Sequence, residues 1–406
     1  MARERDVLTA PRVSGGVLLV TALVLTGLSM RTAVTSVGAV LDELKSSLHA
    51  GNGVAGLLTT LPVLCFAGIG ALTPALSHRF GAHRLLVSAL LLMTAGLLAR
   101  AVVGSIWAFL VLSVLALTGG AISNVLMPSL VKRHFPDQLG RMTAVYTTAL
   151  AVGITAAAGL TVPIGSLASG SDGWRLGIGS WALLSGLAVL PWLPMLRGDR
   201  PDPDAERHMS ANVMVRSRTA WLLMVFFAFQ SFQAYVAFGW FATLLHAKGI
   251  STSTAGWMVA LLAAMSIPIS MVVPTVRQSR HRALMAALTA CYLVSYVGLI
   301  VAPVGGAWLW MVLTGIGAGT FPLALTMIGL HARTAEATAA LSAFAQSLGY
   351  ILAGTGPLLF GVLHGVTGGW GVPMALLLVA TTLTLASGWL VAGPSYVEDE
   401  LAASAA

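Results

Sequence analysis

Stretches of eighteen or more residues with almost no charge recur along the whole chain. Each stretch is long enough to cross about 30 Å of hydrocarbon as a helix. Only 9% of the 406 residues are charged, whereas soluble domains carry about 25% charged residues. A water-soluble globular domain is therefore excluded, and the sequence predicts an all-α membrane protein that crosses the lipid bilayer many times.

The apolar stretches number twelve, and we refer to them as spans one to twelve. They lie at residues 15–41, 53–76, 84–103, 106–130, 141–165, 174–196, 219–246, 254–276, 282–303, 306–330, 335–363 and 370–393. We expect span one to be retained in the mature protein, because no small-residue cleavage site of a secretory signal follows it and Arg31 interrupts it.

Positive charges predict the orientation of the spans. Of the 22 lysine and arginine residues, 17 fall on the side of the N-terminus, Arg31 lies within span one, and four lie on the opposite side: Lys45, Arg100, Arg175 and Lys248. Because cytoplasmic loops carry the excess of Lys and Arg, both termini are predicted to be cytoplasmic, in a cell membrane taken to be a bacterial plasma membrane. The net charge of +8 therefore comes mostly from basic residues that flank the spans and set their orientation. Nucleic-acid binding is not expected.

An internal repeat divides the chain into two halves. Residues 55–56, 74, 117–119 and 173–174 recur as 255–256, 274, 313–315 and 369–370, with offsets of 200 or 196. The polar segment 197–218 falls between the repeats, which predicts a bundle over 1–196, a cytoplasmic linker over 197–218 and a second bundle with a short tail over 219–406. Such parallel repeats normally enclose a substrate site near the membrane midplane, so this architecture indicates a transporter.

Short motifs are similar to those of a known family. The loop after span two matches Leu, Arg and Gly of the pattern G-x-L-x-D-R-x-G-R-K and carries Pro74 and His78 where that pattern has Gly and Asp. This loop resembles that of the major facilitator superfamily. The segments MRTAVTSVG, NVLMPSLVKRHFP, RMTAVYT and LSAFAQSLGYILAGTGPLLFG resemble its cyanate and 2-nitroimidazole transporter branch. The resemblance implies two pseudo-symmetric six-helix bundles and a cyanate-like or nitroimidazole-like solute.

Arg31 is the principal candidate for substrate binding. It lies about sixteen residues into span one, or about 24 Å from the start of that helix. An arginine near the bilayer centre costs about 2.5–3.5 kcal/mol on insertion scales, so we expect it to face a cavity or a partner. All fourteen carboxylates lie outside the span interiors, and an uncompensated cation attracts anions. Packing of Arg31 against a neighbouring helix is the structural alternative.

Further polar and aromatic side chains interrupt the apolar spans. By the offset of 200, Ser231 and Tyr235 correspond to Arg31 and Thr35, and each pair shares a helix face. Interhelical hydrogen bonding is an open alternative for the polar members, and an interfacial position is one for Trp240. The other candidates to bind a substrate are Thr35, Asn124, Tyr146, Gln230, Ser231, Tyr235, Trp240, Gln346 and Tyr350.

The hypothesis that follows is a secondary transporter of a small anionic or polar solute, working by alternating access at a central cavity. The runner-up is a proton-coupled multidrug exporter, although the spans offer no carboxylate for a lipophilic cation. No nucleotide-binding loop and no cluster of metal ligands occurs, so we expect neither an enzyme nor a cofactor or metal site. We expect a monomer, with protons as the candidate coupling ion.

Overall fold

The computed structural model of the protein describes residues 12–49, 52–168, 172–198 and 211–404. Within these ranges the chain forms helices and no β-strand. The helices are α1 (Arg12–Ser29), α2 (Thr32–Ala39), α3 (Leu41–Ser47), α4 (Asn52–Phe80), α5 (Ala82–Val102), α6 (Ile106–His134), α7 (Leu139–Gly165), α8 (Gly173–Gly179), α9 (Trp181–Val189), α10 (Arg218–Ala247), α11 (Thr252–Val272), α12 (His281–Val301), α13 (Ala307–Gly317), α14 (Thr320–Leu330), α15 (Ala335–Thr367), α16 (Gly371–Val391) and α17 (Val397–Ala403). Short 3-10 helices lie at Pro136–Gln138, Leu190–Gly198, Ala211–Arg216, Val273–Thr275 and Gln278–Arg280.

Within the described ranges, twelve helical segments are long and apolar enough to cross a membrane, which confirms the predicted number. Span one consists of α1 and α2, span six of α8 and α9, and span ten of α13 and α14. The other spans are single helices: α4 to α7 for two to five, α10 to α12 for seven to nine, and α15 and α16 for eleven and twelve. Most of the predicted linker lies outside the described residues, so the division at 197–218 stays a prediction.

Local sequence signals set several helix ends. The hydroxyls of Ser217, Ser251 and Thr334 precede α10, α11 and α15 and accept a hydrogen bond from a backbone N–H of the first turn. Such side chains satisfy the donors that a helix leaves unpaired at its start. Gly81 joins α4 to α5 with φ of 88°, a conformation that favours glycine. These signals place the loops where the apolar spans end.

The two halves meet closely at the end of the bundle that carries residues 78–84, 132–141 and 274–282, here called the linker end. Lys132 of span four donates a hydrogen bond to the Gly329 carbonyl of span ten, over 3.3 Å. Gly140 of span five packs so closely on span eight that a Cβ there would lie 2.3 Å from the Pro274 carbonyl oxygen. The linker end is therefore closed.

Two glycines of spans five and eight have open surroundings. A Cβ added at Gly159 of span five or at Gly256 of span eight would meet no atom within 4 Å, and both residues are exposed. Gly159 lies about 28 Å along α7 from Gly140, at 1.5 Å per residue. Gly140 and Gly159 are therefore a tightly packed and an open position on the same helix.

Candidate functional site

Span one is interrupted where it carries Arg31. Helix α1 ends at Ser29 and α2 begins at Thr32, so Met30 and Arg31 lie between two helices. The Ser29 hydroxyl donates to the Thr26 carbonyl and the Thr32 hydroxyl to the Ser29 carbonyl, each over 2.9 Å. Such bonds compete with the regular helical pattern and loosen it. Interrupted helices are typical of transporter sites near the midplane.

The Arg31 guanidinium reaches across to the C-terminal half. Its Nη2 donates a hydrogen bond to the Tyr350 hydroxyl of span eleven over 2.6 Å. The guanidinium carbon lies 4.4 Å from the centroid of the Phe66 ring and 5.5 Å from that of the Tyr350 ring. Tyr235 of span seven also interacts with this guanidinium. Aromatic faces attract a cation without neutralising it, so Arg31 is held in place and keeps its charge.

Tyr350 is the centre of a polar network that joins both halves. Its hydroxyl also accepts a hydrogen bond from the Asn124 amide of span four, over 3.2 Å. The same amide donates to the Gln346 side-chain oxygen, and the Gln346 amide donates to the Ser342 hydroxyl over 2.6 Å. The structure thus brings together Arg31 and Asn124 of the first half with Gln346 and Tyr350 of the second. These are four of the residues predicted from the sequence.

Aromatic rings surround Tyr350 on several sides. Phe227 meets the Tyr350 ring edge-on at a centroid distance of 5.0 Å, and Phe66 does so at 5.3 Å. Tyr235 lies at 6.4 Å with the rings tilted by 32°. Sequence reasoning missed Phe66 and Phe227, because a phenylalanine in an apolar helix carries no signal that separates a site wall from ordinary packing. Planar walls of this kind suit a planar solute.

Two more predicted residues lie beside this network. Tyr146 of span five is 1% exposed, and its hydroxyl, which interacts electrostatically with Tyr350, has no hydrogen-bond partner. Thr35 lies one turn beyond Arg31 on α2, where its backbone N–H donates to the Arg31 carbonyl over 3.0 Å. Its side chain is half-buried. The free Tyr146 hydroxyl leaves one donor that a bound solute could use.

The polar residues of span seven form local or interhelical bonds. The Gln230 amide donates to the Phe227 carbonyl over 3.0 Å and to the Ser231 hydroxyl over 2.5 Å. The Gln233 amide donates to the Thr384 hydroxyl of span twelve over 3.0 Å. Gln233 therefore follows the alternative of interhelical hydrogen bonding. The described hydrogen bonds of Gln230 and Ser231 do not involve Arg31, and both residues are buried.

Trp240 lies apart from the network. Its indole N–H donates to the Pro357 carbonyl over 2.9 Å, and its ring packs near Phe360 and Trp370 at centroid distances of 5.9 and 6.4 Å. Trp240 follows Tyr235 by five residues, which places it about 7.5 Å further along α10. The described contacts of Trp240 join spans seven, eleven and twelve.

The charge of Arg31 has no carboxylate partner among the described residues, where the ion pairs are Arg175–Asp172 and Arg333–Asp399. Arg100 is a second buried cation. It lies two residues before the end of α5 and is 0% exposed. Its location on the side opposite the termini stays a prediction. The first half thus presents two cations to its interior.

Comparison with known proteins fits this arrangement. The profile of the Major Facilitator Superfamily matches residues 19–357. The chain belongs to this superfamily. It is 37% identical over 377 residues to the uncharacterized transporter YycB of Bacillus subtilis (strain 168), covering 91% of this chain and 92% of that protein. Like its relatives in the superfamily, it is a multi-pass membrane transporter.

Two further relatives of the superfamily come from Escherichia coli (strain K12). The 2-nitroimidazole transporter is 34% identical over 366 residues, covering 88% of this chain and 91% of the relative. The cyanate transport protein CynX is 29% identical over 354 residues, covering 86% and 90%. The resemblance predicted from the motifs is confirmed.

The solved structure of the superfamily proton:xylose symporter XylE bound to 6-bromo-6-deoxy-D-glucose has the same fold. It matches with a TM-score of 0.75 at 15% identity, covering 96% of this chain and 99% of that one. The predicted all-α fold of the superfamily is therefore confirmed.

Proposed function

We propose that this superfamily member moves a small, planar, anionic or polar solute across the cell membrane by alternating access. The candidate solutes are cyanate-like ions, small carboxylates and nitroimidazole-like rings. One observation carries the proposal: among the described residues the Arg31 guanidinium meets neutral hydroxyls, that of Tyr350 over 2.6 Å and that of Tyr235, and no carboxylate. A neutral acceptor leaves the positive charge uncompensated, and such a cation in a low dielectric attracts an anion.

The network offers a solute one cation and one unused hydrogen-bond donor. Both described hydrogen bonds to Tyr350 use its oxygen as the acceptor, one from Arg31 and one from Asn124. The hydroxyl proton of Tyr350 is then available to a bound solute. A carboxylate-like group that replaces Tyr350 beside Arg31 can accept two parallel hydrogen bonds from the guanidinium. The rings of Phe66 and Tyr235 would flank the plane of that solute.

The closed linker end supports a transport cycle. Spans five and eight touch at Gly140 and Pro274. With the linker and both termini in the cytoplasm, as the positive charges predict, this contact closes the cytoplasmic side, which supports an outward-facing conformation. Rocking of the two halves about the Arg31–Tyr350 contact would expose the site to the cytoplasm.

A multidrug exporter is the less favoured alternative. A lipophilic cation would be repelled by Arg31, and no carboxylate lies in the interior of a span to offset that repulsion. Proton coupling would have to run through Asp42 or Glu43 near the end of span one, or through a proton carried with the solute. Similarity to a 2-nitroimidazole transporter does not favour the exporter, because 2-nitroimidazole is itself a planar polar solute.

The test is a binding and uptake panel with the purified protein in proteoliposomes. The panel contains cyanate, acetate, benzoate and 2-nitroimidazole, with tetraphenylphosphonium as the cation that an exporter would take. A ligand that binds only the folded state raises its melting temperature. We expect a rise and uptake for at least one planar anion or nitroimidazole. Uptake of tetraphenylphosphonium alone would contradict the proposal and support the exporter.

A further inference from the structure

Arg100 of span three forms hydrogen bonds to the segment of span one that follows Arg31. Its Nη1 donates a hydrogen bond to the Ala33 carbonyl over 3.0 Å, and its Nη2 donates to the Ser36 hydroxyl over 3.2 Å. Both acceptors belong to α2, within five residues of Arg31. The guanidinium lies 5.7 Å from the Phe109 ring centroid. The fork of Arg100 therefore spans a full turn of α2.

The two helices of span one, α1 and α2, both pack along span five, but they join different apolar clusters. Helix α1 packs on span five, where a Cβ at Gly153 would lie 2.0 Å from the Leu28 carbonyl oxygen. Helices α2 and α3 belong to another apolar cluster, in which Val37 and Leu44 pack with Phe109 of span four. Because Arg31 lies between α1 and α2, its position depends on how each of these helices is held.

Packing alone does not account for an arginine at position 100. The side chain is 0% exposed, and its Nε has no hydrogen-bond partner. Burying a charge carries a large desolvation penalty, so an apolar side chain of similar size would pack there more favourably. What the guanidinium adds is two donors in a rigid fork, both directed at α2.

We propose that Arg100 is a positioning residue, which holds α2 against span three and so keeps Arg31 in register with Tyr350. The solute-binding part of this inference rests on the proposed function, whereas the anchoring of α2 does not. Two measurements separate the two parts. The first needs no solute, and the second compares affinity with turnover.

The first measurement is the alkylation rate of a cysteine reporter on α2. Ala39, the last residue of α2, is half-buried, so an Ala39→Cys reporter can gain reactivity when α2 loosens. The two natural cysteines, Cys65 and Cys291, are first replaced by alanine. We expect Arg100→Met to raise the rate with a maleimide at least threefold and Arg100→Lys, which keeps one donor group, to raise it less. An unchanged rate in Arg100→Met would overturn the anchoring.

The matched control is Arg175→Met. Arg175 also donates to backbone carbonyls, those of Ala101 and Val103, over 3.2 and 2.6 Å, and so binds span three instead of span one. We expect this variant to leave the reporter rate unchanged. An equal rise in both variants would show general loosening and would contradict the proposal. If Arg100→Met does not fold, Ser36→Ala is the milder test. It removes a single acceptor of Arg100, and we expect it to raise the alkylation rate of the reporter slightly.

The second measurement is transport of the best solute from the binding panel. We expect Arg100→Met to raise KM five- to tenfold with Vmax within twofold of the parent, and Arg100→Lys to recover at least half of the affinity. A faster reporter with unchanged KM would refute the link to Arg31 while leaving the anchoring intact. If no solute binds the parent protein, the proposed function fails, but the reporter rates still decide whether Arg100 anchors α2.

Discussion

The Arg31 guanidinium and the Tyr350 hydroxyl form a 2.6 Å hydrogen bond between residues that lie 319 positions apart in the chain. The bond joins the interrupted helix of the first half to span eleven of the second. Asn124 reaches the same hydroxyl from span four. The contact thus links the two halves directly at the candidate site, which couples the state of the site to the position of the halves.

Replacing Tyr350 by Phe should weaken solute binding about tenfold. The change removes the acceptor that orients Arg31 and the proton offered to the solute, and hydrogen bonds to charged groups contribute about 1.5–3 kcal/mol. Isothermal titration with the best solute of the panel measures the effect. The control is Tyr292→Phe, an equally buried tyrosine of span nine, which should keep the parent affinity. Equal losses in both variants would remove Tyr350 from the site.

Arg31→Ala should weaken binding of an anion by about 100-fold or more, because two charge-assisted hydrogen bonds are lost. Arg31→Lys should retain part of the affinity, since it keeps the charge without the planar fork. Melting temperatures measured beside affinity separate lost recognition from misfolding. A well-folded Arg31→Ala protein with unchanged affinity would show that the solute is neutral and bound elsewhere.

Gly140→Val should open the linker end. A Cβ at position 140 would lie 2.3 Å from the Pro274 carbonyl oxygen, so the two halves must separate there. The reporter is Thr147→Cys, because Thr147 is 1% exposed and bonds to span eight through the Ser270 carbonyl over 3.4 Å. We expect its alkylation rate to rise several-fold.

The control for this steric test lies on the same helix. Gly159→Val adds the same side chain where no atom lies within 4 Å of a Cβ, so the Thr147→Cys reporter should react at the parent rate. A rise in Gly159→Val, or none in Gly140→Val, would show that the close approach at the linker end does not control access.

Glu400 should stabilise the protein in a pH-dependent way. Burial acts to raise the pKa of this carboxyl, but hydrogen bonds from Ser217 and Thr219 outweigh burial and hold the pKa below its ordinary value of 4.5. A lowered pKa in the folded state gives stability that is present above 4.5 and is lost as the pH falls through the lowered value. At pH 7, Glu400→Gln should therefore melt on the order of 2 °C lower than the parent.

The same difference should vanish in acid. Melting curves of the parent and of Glu400→Gln recorded from pH 7 down to pH 3 should converge below 4.5. Glu43→Gln, a change at an exposed carboxylate of α3, serves as the control and should track the parent throughout. A constant difference at every pH would assign the effect of Glu400 to packing instead of charge.

A cysteine at position 210 should be labelled only from the cytoplasm. Ser210 belongs to the predicted linker and lies outside the described residues, and the excess of Lys and Arg on that side predicts its location. Gly305→Cys, in the turn between spans nine and ten, should be labelled from outside by an impermeant maleimide. Labelling of Ser210→Cys in intact cells by that reagent would reverse the topology.

The fold could be predicted from the sequence because hydropathy fixes where a chain crosses a bilayer. Arg31, Asn124, Gln346 and Tyr350 could be predicted because polar groups inside spans are costly and seek one another. Other features could not. The interruption before α2 contains no proline, and the back-bonding of Ser29 and Thr32 beside it depends on local geometry.

The partners of several buried polar residues are hidden for the same physical reason. The contacts of Arg100 could not be predicted, because the sequence shows its distance from the helix end but not the carbonyl it meets. Gln233 and Gln230 differ only in the direction in which they leave α10. One bonds to span twelve and the other to its own helix, and helical spacing alone does not rank such partners.

The interruption of span one has a consequence for the mechanics of the first half. Helices α1 and α2 both pack along span five, and Arg31 lies at the two-residue break that joins them. A small change of the angle between α1 and α2 would therefore move the guanidinium relative to Tyr350, with the rest of the half unchanged.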